Sequence, residues 1–268
     1  MEDYWQRQAV GKPIFTDALW SRPERRDQSG SLTIVGGSAH GFAAVANSYE
    51  TALKAKVGQI RVIMPDALKN KLPSMVSARI DDLIFAPSNP SGGLAKKASG
   101  IIDAACEWSG NLLIIGDLGG NAETASLLVE TMANYPTAHI TITRDAVDLL
   151  VNEVESVLNR ENVTLVLGIA QLQKLARAVY YPRMVTLSLG AKPTADLLHK
   201  FTTTYPAAIV LFNDDHLFVA QHGQVVSQDF AQPLKVWSGI VATNVAAWRI
   251  WCKDVVPAAA TSWSELLV

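Results

Sequence analysis

The sequence contains few cysteines. Only Cys106 and Cys252 occur among its 268 residues, and no Cys-x-x-Cys pair is present. A disulfide-rich scaffold is therefore excluded. Both cysteines lie in apolar, helix-like surroundings, so we expect two buried thiols in a reducing compartment.

Charge is also scarce and nearly balanced. Charged residues make up 18% of the chain, and the formal net charge is −2 at pH 7. A nucleic-acid surface normally needs clustered lysine and arginine, whereas the one basic cluster, at 22–26, also contains a glutamate. We therefore expect no nucleic-acid partner.

Long apolar runs are absent as well. No segment approaches the ~20 apolar residues that a membrane-spanning helix needs. The first 15 residues include Glu2 and Asp3 and lack the apolar region of a secretory signal. The expectation is a soluble, cytoplasmic protein without membrane contact.

What the sequence does contain is a regular alternation of strand-like and helix-like segments. Short apolar runs such as "NLLIIGD" (111–117) alternate with segments that carry apolar residues at helical spacing. The predicted strands are 32–36, 59–65, 81–87, 111–117, 138–143, 163–168 and 184–189, and the predicted helices lie near 42–57, 66–76, 92–108, 122–135, 146–159, 169–180 and 193–204. This order predicts an α/β fold with a mostly parallel sheet and helices on both faces.

The pattern changes near the C-terminus. Residues 207–228 form three short apolar segments joined by "NDDH" and "HG" turns, which predicts an antiparallel edge on the sheet. A buried closing helix is expected at 238–252. Because no linker or repeat interrupts the pattern, we predict a single domain over residues 1–268, with a partly extended segment at 1–29.

Glycine-rich turns follow several predicted strands. Gly36, Gly37 and Ser38 end the first strand, "GDLGGNAET" (116–124) follows a later one, and Gly168 ends another. Ligands of parallel α/β sheets bind beyond the carboxyl ends of the strands, but glycine also serves wherever a strand must turn sharply into a helix. The first turn has neither the G-x-G-x-x-G spacing of a dinucleotide fingerprint nor a Walker lysine. Neither of these two motifs is therefore present, and the choice between a ligand-binding loop and a simple tight turn stays open.

Three segments carry a resemblance to a known family. These are "TIVGGSAHGFAAVANSYETALKAKVGQIRVIMP" (33–65), "GDLGGNAETASLLVE" (116–130) and "TRDAVDLL" (143–150). They resemble, in order and spacing, the ADP- or ATP-dependent NAD(P)H-hydrate dehydratases (the C-terminal YjeF-type domain), and the resemblance extends over about 17–252. Asp117 stands where the family usually has proline.

The resemblance implies a ribokinase-like three-layer sandwich and a carbon–oxygen lyase reaction. In that reaction the terminal phosphoryl group of the nucleotide passes to the hydroxyl of a hydrated nicotinamide ring, and phosphate then leaves. The implied ligands are ADP or ATP with Mg²⁺ and NADH, NADPH or its hydrate, and a homo-oligomer is compatible with the family. The implied substrate-binding residues are Gly36, Gly37, Ser38, Gly116, Gly119, Asp145 and Asp148, and the implied nucleotide-binding residues are Asn213, Lys235 and Gly239.

The second half departs from the family where its chemistry is expected. Gly168 replaces a histidine and Gln171 a glutamate, and Phe212-Asn213 replaces Lys-Gly. The Gly-Ser/Thr-Gly-Asp motif that supplies the catalytic base is replaced by "QPLK" (232–235). Proline has no N–H, and a protonated lysine at 235 attracts phosphate but accepts no proton.

Three hypotheses follow from these departures. The main one is a catalytically impaired relative that still binds a nucleotide or dinucleotide. The alternative is an active dehydratase that uses a substitute carboxylate, and a divergent small-molecule kinase or an interaction scaffold is a further alternative. The candidate substitutes are Asp145, Asp148, Asp214, Asp215 and Asp229, each of which also suits a turn or a helix cap.

The five histidines predict no metal centre. His139, His199, His216 and His222 have no metal-ligand spacing with one another or with the cysteines. His40 lies in the first glycine turn, where it either contacts a ligand or sits in an exposed loop. A Mg²⁺ ion carried by a nucleotide stays compatible with this reading.

Overall fold

A computed structural model of the protein describes residues 4–72 and 80–267. Within those residues ten strands form one sheet in the order β1-β10-β9-β8-β7-β6-β5-β2-β3-β4. The strands are β1 Trp5–Gln8, β2 Ser31–Gly36, β3 Gln59–Pro65, β4 Asp82–Ala86, β5 Asn111–Gly116, β6 His139–Thr143, β7 Val163–Gly168, β8 Ala208–Asn213, β9 His216–Gln221 and β10 Gln224–Asp229.

Helices cover both faces of this sheet. They are α1 Thr16–Trp20, α2 Ala43–Lys54, α3 Ser99–Ser109, α4 Ala122–Asn134, α5 Asp145–Leu149, α6 Val154–Leu158, α7 Ile169–Ala178, α8 Ala191–Thr204, α9 Pro233–Trp237, α10 Ile240–Trp251 and α11 Val255–Ser262, with 3₁₀ turns at Arg26–Gln28, Asp66–Leu68, Lys96–Ala98, Val151–Glu153 and Trp263–Leu267. The result is three layers, with the sheet in the middle.

The alternation of side chains along β2 explains why both faces need cover. Leu32 and Ile34 are fully buried against α2 and α10 on one face, and Val35 is buried in the core on the other face. Successive side chains of a strand point to opposite faces. An apolar run therefore contributes to two cores at once, as expected for a strand inside a parallel sheet.

Strand direction confirms the predicted fold class. Strands β2 to β8 are parallel, and β9 is antiparallel to both β8 and β10. The hairpin turns contain Asp214-Asp215 and His222-Gly223, all with positive φ, as type I′ turns require. Strand β1, from the predicted extended segment 1–29, adds to this edge in parallel with β10.

Several predicted elements were wrong. Residues 184–189 form no strand, because β7 pairs directly with β8 and leaves no position between them. Met184 is 85% exposed there. The helix predicted at 146–159 is divided into α5, a 3₁₀ turn and α6. Of the helix predicted near 66–76, the structure has a 3₁₀ turn at Asp66–Leu68, and residues 73–76 lie outside the described part of the chain.

The thiol prediction is right for one cysteine. Cys106 is buried on α3, and burial raises its thiol pKa to about 12, with Asp103 and Glu107 adding to the effect. Cys252 is half-buried at the end of α10, and both thiols are free. Across the described residues no helix has the length and apolar character needed to span a bilayer.

Candidate functional site

The carboxyl ends of the parallel strands bring the two main glycine turns together. Gly36 lies opposite Gly116 in the β2–β5 pairing, and the Gly37 amide donates to the Gly116 carbonyl over 3.0 Å. A Cβ at 36 would lie 2.8 Å from that same carbonyl oxygen. The two strand ends can approach this closely because residue 36 is a glycine. Their role in holding a ligand stays a prediction.

The loop after Gly37 is a closed tight turn. The Ser38 amide donates to the Gly41 carbonyl over 2.9 Å, and the Gly41 amide returns a bond to Ser38 over 3.1 Å. The Ala39 amide donates to Gly92, and His40 is exposed at the tip. These amides are thus used within the protein. An anion-binding loop needs several amides free to point at the ligand, and this loop does not offer them.

Asp117, in the position of the family's proline, joins three elements. Its φ is +56°, and one carboxylate oxygen accepts from the Ala44 amide in the first turn of α2 over 3.3 Å. The other oxygen forms an ion pair with Arg144 at the end of β6. A carboxylate is favourable at a helix N-terminus because it faces the positive end of the helix dipole.

Asp145 is committed to the backbone of the β5 turn. Its two oxygens accept from the amides of Asp117 over 2.7 Å and Leu118 over 3.0 Å. A Cβ at Gly116 would lie 2.3 Å from Asp145 Oδ1, so this contact requires the glycine. Gly119, by contrast, has open space around it. Asp145 therefore shapes the turn instead of offering a free base.

Asp148 is also paired. Its oxygens contact Lys174 Nζ at 2.7 Å and Gln171 Nε2 at 3.0 Å. Gln171, at the family's glutamate position, further donates to the Arg144 carbonyl over 2.8 Å and accepts from the Gly168 amide over 3.4 Å. The Asp148–Gln171 hydrogen bond thus joins α5 to the first turn of α7.

The remaining candidate carboxylates lie at the antiparallel edge. Asp214 and Asp215 are exposed in the β8–β9 turn with φ of +49° and +54°. Asp229, at the end of β10, lies 3.2 Å from His216 Nε2. These positions suit turn formation and strand termination.

The three predicted nucleotide-binding residues have separate structural roles. Lys235 donates to the Leu266 carbonyl and lines a cavity of ≈ 530 Å³ between α2, α10 and the C-terminal 3₁₀ turn. Gly239 precedes α10 with φ +86°, and a Cβ there would lie 2.4 Å from Ile115. Asn213 is buried and donates to Leu189 and Thr194.

A cavity of ≈ 390 Å³ lies at the ends of β6 and β7, and we call it the β6–β7 cleft. Its walls are the ends of those two strands, the first turn of α7, and the side chains of Arg144, Asp148 and Trp237. The wall is mainly apolar. Trp237 on α9 is 58% exposed, so a large aromatic face is presented beside two charged groups.

Arg144 is the central polar residue of this cleft, and the motifs did not indicate it. Its guanidinium binds both Asp117 and the Trp237 carbonyl, its Nε is buried without a partner, and its φ is +58°. A non-glycine residue in this conformation costs energy and is common at functional sites. The available signal was an arginine directly after a buried strand.

The histidines have separate contacts. His199 stacks on Tyr4 with ring centroids 4.0 Å apart, and His139, at the start of β6, contacts Arg249. In residues 4–72 and 80–267, no three His, Cys, Asp or Glu side chains form a group that could hold a metal ion.

Comparisons with known proteins identify the fold. No family model and no curated protein matches the sequence. A ribokinase-like superfamily protein from Enterococcus faecalis is 14% identical, with a TM-score of 0.68 over 100% of this chain and 88% of its own. ADP/ATP-dependent NAD(P)H-hydrate dehydratase from Bacillus subtilis, co-crystallised with ATP and Mg²⁺, is 12% identical with a TM-score of 0.61 over 93% and 85%. Bacillus subtilis pyridoxal kinase, in an ADP complex, is 8% identical with a TM-score of 0.56 over 88% and 89%.

The chain therefore has a ribokinase-like fold. The hydrate dehydratase that the sequence resembles is among the structures that share this fold, at low identity. Such likeness establishes the architecture, and function has to be argued from the site itself.

Proposed function

We propose that this protein is a divergent, catalytically impaired relative of the NAD(P)H-hydrate dehydratases that binds a nucleotide or dinucleotide in the β6–β7 cleft. Two structures of the same fold were obtained with ATP and Mg²⁺ or with ADP. The cleft lies at the carboxyl ends of the strands, where ligands of open α/β sheets bind. It offers the Trp237 face to a ring, and Arg144, which is also paired with Asp117, supplies positive charge for a phosphate.

One observation supports the loss of catalysis. Transfer of a phosphoryl group to a hydroxyl needs a group that accepts the hydroxyl proton, and the family's aspartate position holds Lys235. The two aspartates at the cleft are engaged, Asp145 by two backbone amides and Asp148 by Lys174 and Gln171. The site thus supports binding better than proton abstraction.

The proposal is tested by thermal unfolding with ADP, ATP, NADH and NADPH, with and without Mg²⁺, followed by an activity assay on hydrated NADH. A ligand at a hundredfold excess over its Kd stabilises the folded state by about 2.7 kcal/mol, or roughly 5–10 °C for a chain of this size. We expect such a shift with at least one nucleotide and no turnover. No shift with any of the four would contradict nucleotide binding.

Two tryptophans provide a matched pair of variants. Trp237→Ala removes the aromatic face of the cleft, and Trp20→Ala removes a side chain that is 87% exposed on α1. Stacking on an aromatic ring is worth about 1–3 kcal/mol per base, so W237A is expected to weaken nucleotide binding by roughly tenfold or more. Calorimetry should find W20A unchanged, and equal affinities for the two variants would place the ligand elsewhere.

An active dehydratase remains the alternative, and it makes a different prediction. Of the two aspartates at the cleft, Asp148 is the one held by side chains instead of backbone amides, and its partner Lys174 is 58% exposed. If the wild-type protein turns over hydrated NADH and Asp148→Asn abolishes turnover while nucleotide binding persists, the impaired-enzyme proposal is wrong.

A further inference from the structure

A second cavity lies at the amino ends of β6 and β7, whereas the β6–β7 cleft lies at their carboxyl ends. Its volume is ≈ 500 Å³, and it is formed by the start of β6, the loop before β7, the β9–β10 turn and the end of α10. We call it the Arg249 groove. The charged side chains that line it are Arg160, Glu161, Arg249, Lys253 and Asp254, and His139 and His222 line it as well.

The groove contains a buried arginine. Arg249 is only 6% exposed. Its Nη1 donates to the carbonyls of Cys252, over 3.0 Å, and Lys253, at the end of α10, and its Nη2 lies 2.8 Å from His139 Nδ1. Burial lowers the pKa of this guanidinium to about 10, so it stays charged at neutral pH.

No described carboxylate forms an ion pair with Arg249. The nearby acidic groups, Glu161 and Asp254, are exposed at the rim. The carbonyls of Cys252 and Lys253, directly after α10, compensate part of the charge, as expected for a cation at a helix C-terminus. A buried charge without a counter-ion is nevertheless costly, and here it lies beside a cavity that is open to solvent.

His139 is held in a form that donates a further hydrogen bond. Its pKa is lowered to about 4, mainly by burial and also by the neighbouring Arg249 charge. The ring is therefore neutral at pH 7. Because Nδ1 accepts from Arg249, the ring proton resides on Nε2. The lining of the groove thus includes a charged guanidinium and a neutral imidazole that carries its proton on Nε2.

We propose that the Arg249 groove binds the phosphate group of a small phosphate monoester. The planar guanidinium and the imidazole N–H suit a tetrahedral oxyanion, and Arg160 and Lys253 supply additional positive charge. Glu161 and Asp254 limit the net charge of the groove, which disfavours long polyanions. The volume exceeds that of a phosphate ion, so it accommodates the remainder of a small metabolite. The β6–β7 cleft takes no part in this proposal.

The test follows the His139 ring signals by NMR during titration with inorganic phosphate and with glycerol 3-phosphate. Titrations are run at constant ionic strength, because exposed charges are screened by salt. A titration with chloride serves as the control. We expect saturable shifts of the His139 signals with phosphate or glycerol 3-phosphate, at lower concentrations than chloride requires. Shifts that do not saturate, or that chloride produces at the same concentrations, would overturn the proposal.

A pair of double variants separates this site from a general charge effect. Arg160→Ala with Lys253→Ala removes two cations from the groove without touching Arg249, and is expected to weaken phosphate binding at least fivefold. Lys97→Ala with Arg183→Ala removes the same charge from exposed positions elsewhere, and is expected to leave binding unchanged. Equal loss in both double variants would contradict the proposal.

The same variants keep this inference apart from the proposed function. R160A/K253A should bind nucleotides in the β6–β7 cleft as the wild type does, whereas Trp237→Ala should retain phosphate binding in the groove. If W237A removes the His139 response to phosphate, the two sites are one and the inference is wrong.

Discussion

At the scale of single residues, the acidic side chains of the cleft build backbone geometry. Asp145 occupies two amides of the β5 turn, and Asp117 holds the first turn of α2. Gly116 and Asp145 depend on each other, since the carboxylate fills the space where a side chain at 116 would be. Asp145, a candidate catalytic base in the sequence, therefore has a structural role.

Alanine at two glycines tests this dependence. Gly116→Ala places a methyl group 2.3 Å from Asp145 Oδ1 at a φ of +95°, whereas Gly119→Ala has a φ of +73° in open space. A positive φ alone costs about 1–2 kcal/mol, and the displaced carboxylate adds roughly 1–3 kcal/mol for unpaired amides. Denaturant unfolding should therefore find G116A clearly less stable than G119A. Equal losses would show that the Asp145 contact contributes nothing.

His139 makes stability depend on pH. Its pKa is about 4 in the folded protein, against an ordinary value of 6.5. As pH falls from 6.5 towards 4, the unfolded chain takes up a proton that the folded chain does not, so stability is lost across this interval. Because the ring is half-buried, the loss is on the order of 1 kcal/mol.

The measurement is the free energy of unfolding from pH 7.5 to 4 for the wild type and for His139→Gln. Carboxylates titrate in both proteins, so the difference between the two curves isolates His139. We expect that difference to change with pH, and parallel curves would contradict the assigned pKa.

At the scale of elements, the polar strand β1 is held through a buried amide. Gln8 is 4% exposed, and its Nε2 donates to Gln228 of β10 and to the Ala260 carbonyl of α11, each over 2.8 Å. One side chain thus joins the edge strand, its neighbour and the covering helix.

Gln8→Ala should destabilise the protein by about 1–3 kcal/mol, because it leaves buried polar groups without partners. Gln6→Ala, at an exposed position of the same strand, should stay within about 0.5 kcal/mol of the wild type. Chemical denaturation of both variants checks this, and similar values for the two would mean that β1 is not held by this contact.

Elements were predictable where burial dominates. The strand predicted at 163–168 has those bounds, and β5 ends one residue before its prediction, because continuous apolar runs suit a strand covered on both faces. Polar β1 was missed as a strand, and apolar 184–189 was wrongly assigned. Both errors depend on whether a neighbouring strand is available, which local sequence does not encode.

The site was less predictable for a related reason. The motifs placed Asp145 and Lys235 in a ligand cleft, but their partners are Asp117, Leu118 and Leu266, which lie 27 or more residues away in the chain. Such contacts arise only once the fold is complete. Positive-φ Arg144 had no local signal beyond its place after β6.

At the scale of the whole molecule, the sheet separates two large cores. Trp248 and Trp263 are fully buried on the face of α10 and α11, and Phe201 contacts Tyr181 and Tyr205 on the other face. Strands β2, β5, β7 and β8 contribute side chains to both cores, so neither face can separate without losing the sheet.

We predict that residues 1–268 unfold as a single cooperative unit. Tryptophan fluorescence reports mainly on the α10–α11 face, and far-ultraviolet circular dichroism reports on all helices. The two denaturation curves should coincide within error. Two separated midpoints would instead indicate independently folding parts and contradict the single-domain prediction.

The parallel pairing of β1 with β10 has a consequence for synthesis in the cell. Trp5 lies opposite Val225 in this pairing. Strand β1 is therefore synthesised first of the ten described strands but can pair only after β10, the last of them, has been made. At ribosomal speeds of roughly 5–20 residues per second, that delay is on the order of ten to forty seconds. During translation β1 therefore has no partner strand and stays accessible to chaperones until β10 has been made.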